Sequence, residues 1–245
     1  MALLADTTLL AVWECARLAP LPRRVQALLN AAREPDDGED AGRLTLGEAH
    51  RRLLALHAQV FGPRLVGLAD CAECGEPLEF DLDVREFIAA VAASPAAPEA
   101  LVVAEGVRLA MRAPTLDDCI AAAEAADGRE GYKILLARCV EAQAVDGTML
   151  APQTLTDALM REVDARLAAV DPAVELSMAC TCPACGVQAD TPLDVGAFVW
   201  AEVEARAPRL IAEVHRLAAR YGWREADILE MGGMRRAAYL AMADA

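Results

Sequence analysis

Cys71-Ala72-Glu73-Cys74-Gly75 and Cys182-Pro183-Ala184-Cys185-Gly186 decide how this chain is read. The second stretch repeats the first, and the likeness runs past the cysteines. Leu82-Asp83-Val84 and then Phe87 follow the first knuckle; Leu193-Asp194-Val195 and then Phe198 follow the second at the same distances. One CxxC supplies two thiolates, whereas a structural zinc takes four ligands in a tetrahedron. Two remote knuckles can therefore complete one closed site. Cys71, Cys74, Cys182 and Cys185 are the candidate ligands of one structural Zn2+, and Cys180, two residues before Cys182, is an alternative ligand to it.

Each knuckle is flanked by residues that alternate in the manner of short strands. Leu65-Val66-Gly67-Leu68 leads into the first and Leu78-Glu79-Phe80-Asp81-Leu82 leads out. Val174 to Met178 alternates into Cys180, and 186–191 leads out of the second copy. Each copy reads as half of a zinc ribbon followed by a helix starting near Asp83 or Asp194. A redox CxxC needs a helix start within a βαβ unit, and no such unit surrounds either pair.

The remainder reads mainly as helix. Of 245 residues, 56% are hydrophobic but only 4% aromatic, with Ala, Leu and Val carrying most of the apolar mass. Helix packing suits that composition better than a β-sandwich. Thr45-x-x-Glu48, Thr115-x-x-Asp118 and Thr154-x-x-Asp157 carry helix-capping patterns. After the first, Leu46, Ala49, Leu53, Leu56 and Val60 form one apolar stripe, ended at Phe61-Gly62-Pro63. Helices are also expected at 8–17, 22–33, 116–126, 132–142 and 155–170, with a hairpin over 101–112. The acidic stretch 33–40 reads as a solvated loop and 92–98 as a linker. The expected fold is α+β, mainly α-helical, with helical layers around a two-knuckle zinc ribbon of short antiparallel strands. It divides into 1–92 with the first knuckle, an inserted hairpin-plus-helices block at 99–170, and 171–245 with the second knuckle.

Several functions are disfavoured. A net charge of −15 repels phosphate backbones, which counts against a zinc-ribbon nucleic-acid or transcription-associated factor, the second reading of this chain. No apolar run approaches the roughly 18 residues of a membrane helix, and no basic stretch precedes the apolar N-terminus as in a signal peptide. A cytoplasmic protein is expected, in which CxxC pairs serve metal or redox chemistry. His50, His57 and His215 lack metalloprotease spacing and read as surface or half-buried structural residues. Ser94 and Ser177 lack a nucleophile-elbow context. Cys15, Cys119 and Cys139 lie on apolar helix faces and read as core. No catalytic constellation is found, so a non-enzyme without a small-molecule substrate is expected.

The C-terminal region offers a docking surface. Tyr221-Gly222-Trp223 is followed by Arg235-Arg236-x-x-Tyr239-Leu240, and Trp, Tyr and Arg are the usual anchors of protein interfaces. A packed helical hairpin with Trp223 as filler is the competing reading. Tyr221, Trp223, Arg235, Arg236 and Tyr239 are the candidate partner-binding residues.

These segments also carry a family resemblance. His215-x-Leu217-Ala218-x-x-Tyr221-Gly222-Trp223 through Tyr239-Leu240 resembles small proteins encoded beside contractile phage tails and extracellular contractile injection systems. Arg112-Ala113-Pro114-Thr115-x-x-Asp118, with Leu135-Leu136-x-Arg138-Cys139-Val140 after it, is similar to the T-even phage baseplate hub-assembly protein family. So is Leu53-Leu54-x-Leu56 with Phe61-Gly62 before a CxxC knuckle. The resemblance implies an assembly chaperone or minor component of a tail baseplate, with hub or baseplate proteins as partners and incorporation into a phage tail-like particle. The chain departs from the simplest members in its length and its doubled knuckle. The family supplies no catalytic residues.

Overall fold

The computed structural model describes residues 4–34, 38, 40–92, 99–174 and 176–243. The fold is α+β and predominantly helical, with small antiparallel sheets. Helices α1 (Asp6–Ala16), α2 (Leu21–Ala31) and α3 (Leu46–Val60) come first. Thr45 caps α3 by accepting from the Glu48 N–H. The expected stripe is the buried one: Ala49, Leu53 and Leu56 are enclosed and Leu46 and Val60 pack at its margins. A hairpin of β1 (Arg64–Asp70) and β2 (Pro77–Asp83) follows, then α4 (Val84–Ala92). The second copy repeats this order as β7 (Ser177–Thr181), β8 (Gln188–Pro192) and the long helix α8 (Val195–Tyr221). Of the residues shared by the two tails, Val84 and Val195 are both fully buried, and in each copy one tail N–H is anchored, though at different positions of the repeat. Val84 donates to Pro63 O and Leu193 to Leu176 O.

Between the two copies, β3 (Glu99–Ala104), β4 (Val107–Arg112), β5 (Val140–Ala144) and β6 (Met149–Leu150) form a four-stranded antiparallel sheet in that order. Helices α5 (Leu116–Ala123) and α6 (Gly128–Cys139) sit between β4 and β5, and α7 (Asp157–Val170) follows β6. Leu109, Met111, Leu136, Val140, Ala142 and Val163 build a separate apolar cluster here. The main core instead draws on both ends of the chain, from Leu9 and Leu28 to Val199, Val203, Leu210 and Leu229. The C-terminus adds α9 (Glu225–Leu229) and α10 (Gly233–Ala243).

Some expectations are corrected. Residues 140–142 were expected to be helical but form β5, since pairing Val140 with Met111 and Ala142 with Leu109 buries both against the sheet. The cap of α7 is Thr156, not Thr154; Thr154 ends a 3-10 turn (Pro152–Thr154), and its hydroxyl donates to Ala151 O. The second hairpin's first strand begins at Ser177, later than the expected 174. Cys15 is exposed and Cys119 intermediate, so of the three helix cysteines only Cys139 is buried. His50 and His57 are buried rather than superficial. His50 Nδ1 lies 3.0 Å from Ala173 O, and the His57 ring contacts Phe61 and Phe198. Burial lowers both histidine pKa values by penalising the charged imidazolium. Half of the 33–40 loop and most of the 92–98 linker lie outside the described residues, as does Ser94.

Two buried charges join elements. The Asp171 carboxylate accepts from the Gly47 N–H at 2.9 Å in the first turn of α3, where the helix dipole favours an anion. A side chain at 47 would strike it, because a Cβ there would lie 2.0 Å from Asp171 Oδ1. Asp118, 1% exposed, is the second. It receives Arg112 in bidentate fashion at 2.6 and 3.1 Å, Arg138 at 2.6 Å, and both the N–H and hydroxyl of Thr115 at 2.9 Å. The Thr115–Asp118 capping box of α5 is thus also a charge node that ties β4, α5 and α6 together. Burial alone would raise the Asp118 pKa, but Arg112, the Thr115 N–H and Arg138 together hold it well below the usual carboxylate range.

Replacing Asp118 strands two guanidinium groups and uncaps α5. Asp118→Ala is expected to destabilise the chain by about 3 kcal/mol, the low end for a broken buried pair because both arginines keep solvent access. The folded pKa is depressed, so this stabilisation is fully present above the unfolded value near about 4 and is lost as pH falls below it. Urea melts should show a constant gap between wild type and Asp118→Ala from about pH 5 upward, narrowing below about pH 4.

Candidate metal centre and C-terminal aromatic face

Each knuckle is a tight turn at the tip of its hairpin. In the first, the Gly75 N–H donates to Cys71 O and the Cys71 N–H to Glu76 O; in the second, Gly186 donates to Cys182 O and Cys182 to Val187 O. Gly75 and Gly186 take φ of +71° and +73°, a left-handed conformation that glycine adopts without steric cost. The knuckle glycines are therefore part of the thiol-presenting geometry, and the duplication extends to backbone conformation.

The four thiols converge. The sulfurs of Cys71, Cys74, Cys182 and Cys185 all lie within 4.8 Å of one another. Cys71 Sγ is 3.8 Å from Cys185 Sγ, and Cys74 Sγ is 3.6 Å from Cys182 Sγ. The first cysteine of each knuckle thus meets the second of the other, the crossing expected of two copies related by an approximate two-fold axis. Cys180 is not in the group; it packs against it with Leu78. Cys182, and not Cys180, is the cysteine that the structure brings to the other three.

This donor set fits a metal ion. A Zn–S bond of about 2.3 Å places tetrahedral sulfurs about 3.8 Å apart, as the two cross-knuckle distances are. All four cysteines are free thiols, too far apart for disulfides. Their electrostatics also call for a cation. The N–H groups of Cys185 and Ala184 lower the Cys182 thiol to about 7. The Glu76 N–H pulls Cys74 down as well, but sharing with Cys182 and Cys185 outweighs it and pushes that thiol up to about 12. Without a cation, a thiolate at Cys182 raises the thiols of Cys74 and Cys185; a divalent ion removes that conflict.

The second candidate region lies at the other end of α8. Tyr221 stacks on Trp223 with centroids 4.6 Å apart, and Tyr239 meets Trp223 edge-on at 4.8 Å. The three rings are half-buried, and Arg235 is exposed beside them. Arg236 does not join this surface. It is 1% exposed, donating to Asp6 at 2.5 Å and Glu213 at 2.6 Å and to the carbonyl of Met231. It turns inward because two carboxylates from α1 and α8 await it there. The expectation of Arg236 as a surface anchor is corrected: it locks α10 onto α1 and α8. Sequence reading missed this role, since neither Asp6 nor Glu213 bears a motif.

The model of the family described as T4 bacteriophage base plate protein matches residues 24–198. This chain belongs to that family, and the match spans both knuckles and the Asp118 node. No curated protein and no solved structure matches the chain. Among the described residues, no helix is long and apolar enough to cross a membrane.

One metal ion per chain is the expected content of freshly purified protein, read by elemental mass spectrometry. Cys182→Ser should abolish or sharply reduce it, whereas Cys180→Ser should leave it intact.

Proposed function

We propose that this chain is a non-enzymatic assembly or structural component of a contractile tail-like baseplate, its scaffold clamped by one structural zinc ion. The observation that carries this reading is the family match over both knuckles together with the convergence of their four thiols. Zinc is the ion of choice because all-thiolate tetrahedral sites select it. Four protein ligands leave no open position for a water, so the ion serves structure and not hydrolysis. The partners are hub or baseplate proteins, held by binding alone. The chain is made in the cytoplasm and taken into the particle. The division at 1–92, 99–170 and 171–245 belongs to the same reading, with the middle block hung from the ribbon.

The C-terminal rings are the proposed docking face. Tyr221, Trp223 and Tyr239 form an aromatic ledge, Arg235 is exposed beside it, and Met234 on α10 is 92% exposed. Aromatic anchors with few rotamers lose little entropy on binding. Nucleic-acid binding is the weaker alternative, because an acidic chain of net charge −15 would have to approach a polyanion.

Isolating the native particle from producing cells and probing it for this chain tests the reading: retention or stoichiometric association during assembly is expected, and a chain that never co-purifies with baseplate intermediates refutes it. Trp223→Ala should weaken capture of the baseplate partner by about tenfold or more, as loss of an interface hot spot does, with an unchanged far-UV spectrum and metal content.

A further inference from the structure

A groove between the two hairpins has the construction of a strand-receiving slot. Among the described residues, β2 pairs with β1 alone and β7 with β8 alone. Each therefore keeps one row of backbone N–H and C=O groups outside any ladder. Both strands border one cleft of about 580 Å3, and they do so through consecutive residues, 77–82 and 178–181. A strand offers only alternate side chains to a cleft lying on its face. Unbroken runs on both sides mean that the cleft meets the strand edges.

Its walls have a definite chemistry. Leu78 and Met178 are buried and Phe80, Leu82 and Cys180 half-buried, giving an apolar floor continuous with the core. Glu79 and Asp81 alternate with them and are exposed on the rim. Among the described residues, no lysine or arginine lines the cleft; Arg64, on β1, pairs with Asp81 from the neighbouring strand. Free strand edges are a hazard that proteins cover or charge, and two copies pairing here would set Glu79 and Asp81 against their own like charges.

We propose that this groove receives an extended segment of a partner protein in which apolar residues alternate with arginine or lysine, added as a strand between β2 and β7. Its backbone completes the two open ladders, its apolar side chains descend onto the Phe80–Met178 floor, and its cations meet Glu79 and Asp81. The inference names a partner class for the baseplate reading and rests on it only for where that partner is found.

The test uses the full chain and a fluorescein-labelled short peptide of alternating valine and arginine, followed by anisotropy. Binding is expected, with slowed hydrogen exchange confined to amides of 77–82 and 178–181. The same peptide carrying glutamate for arginine, or N-methylated at alternate amides, should bind at least about tenfold more weakly, having lost charge pairing or edge hydrogen bonds. The double variant Glu79→Lys, Asp81→Lys should show the same loss while its melting curve and metal content stay those of wild type. Absence of binding, equal binding of either control peptide, or protection elsewhere in the chain overturns the proposal. Concentration-dependent dimers protected at the same amides without peptide would make a second copy the occupant and overturn it too. Peptide capture by a chain that never joins a particle would leave the groove standing and remove the baseplate reading.

Discussion

Closing a loop of about 110 residues on a handful of atoms is the constraint around which this molecule is built. Cys74 and Cys182 are 108 positions apart, yet their sulfurs lie 3.6 Å from each other. Holding such a loop shut costs chain entropy of about 4.7 kcal/mol on a simple loop model. Among the described residues, apolar contact at the knuckles is small: the cluster there consists of Cys71, Leu78 and Cys182 with Cys180 at its edge. A bound structural zinc, worth about 10–16 kcal/mol in model peptides, exceeds that cost comfortably. With total stability typically about 5–15 kcal/mol, the proposed ion is the natural owner of the closure.

The clamp acts with the core, not in place of it. The tails that follow the two knuckles send Val84 and Val195 into one apolar cluster, and Phe198 at the start of α8 meets His57 of α3 and Phe80 of β2. The four thiols meet at the tips of the hairpins, and these contacts fix their bases. Buried charges then pin the peripheral pieces. Asp171 holds the chain just after α7 to the start of α3, Asp118 gathers β4, α5 and α6, and Arg236 fastens α10 to α1. Each is an acid or base whose partners come from other elements, so each fixes a joint as well as a local turn.

What the sequence made legible follows from which signals are local. The knuckle duplication is legible because spacing and tail residues recur together, and it points to the four thiols that the structure brings within 4.8 Å of one another. The Thr115–Asp118 cap could be read from its pattern, and so could the α3 stripe. The role of Asp118 as a receiver for Arg138 could not, because twenty positions and a helix separate them. Strand β5 was read as helix, since Val140 to Ala142 continues a helix-compatible composition and only pairing with β4 reveals its state. Arg236 was misread for a related reason. An arginine near tyrosine and tryptophan in sequence has the composition of an interface, and its inward turn depends on Asp6, 230 positions away.

The same distinction bears on where a partner engages. The aromatic ledge at α8 and α10 already satisfies much of its own surface through ring-on-ring contact, and Arg236 is spent on the interior. What it has left to offer is the outer faces of three rings, Arg235 and Met234. The groove between the hairpins has satisfied less, because its strand edges carry backbone donors and acceptors outside any ladder. Backbone groups outside a ladder beside an apolar floor supply both direction and affinity to an added strand, whereas a half-covered aromatic surface supplies mainly area. The position of the groove adds a further consequence. Pro77 and Pro183 lie at the knuckle end of its border, so a strand seated there would bridge the two hairpins next to the thiols that hold them. Loss of the proposed zinc would then part the two walls and weaken partner capture together with the fold, coupling assembly competence to metal content through geometry alone.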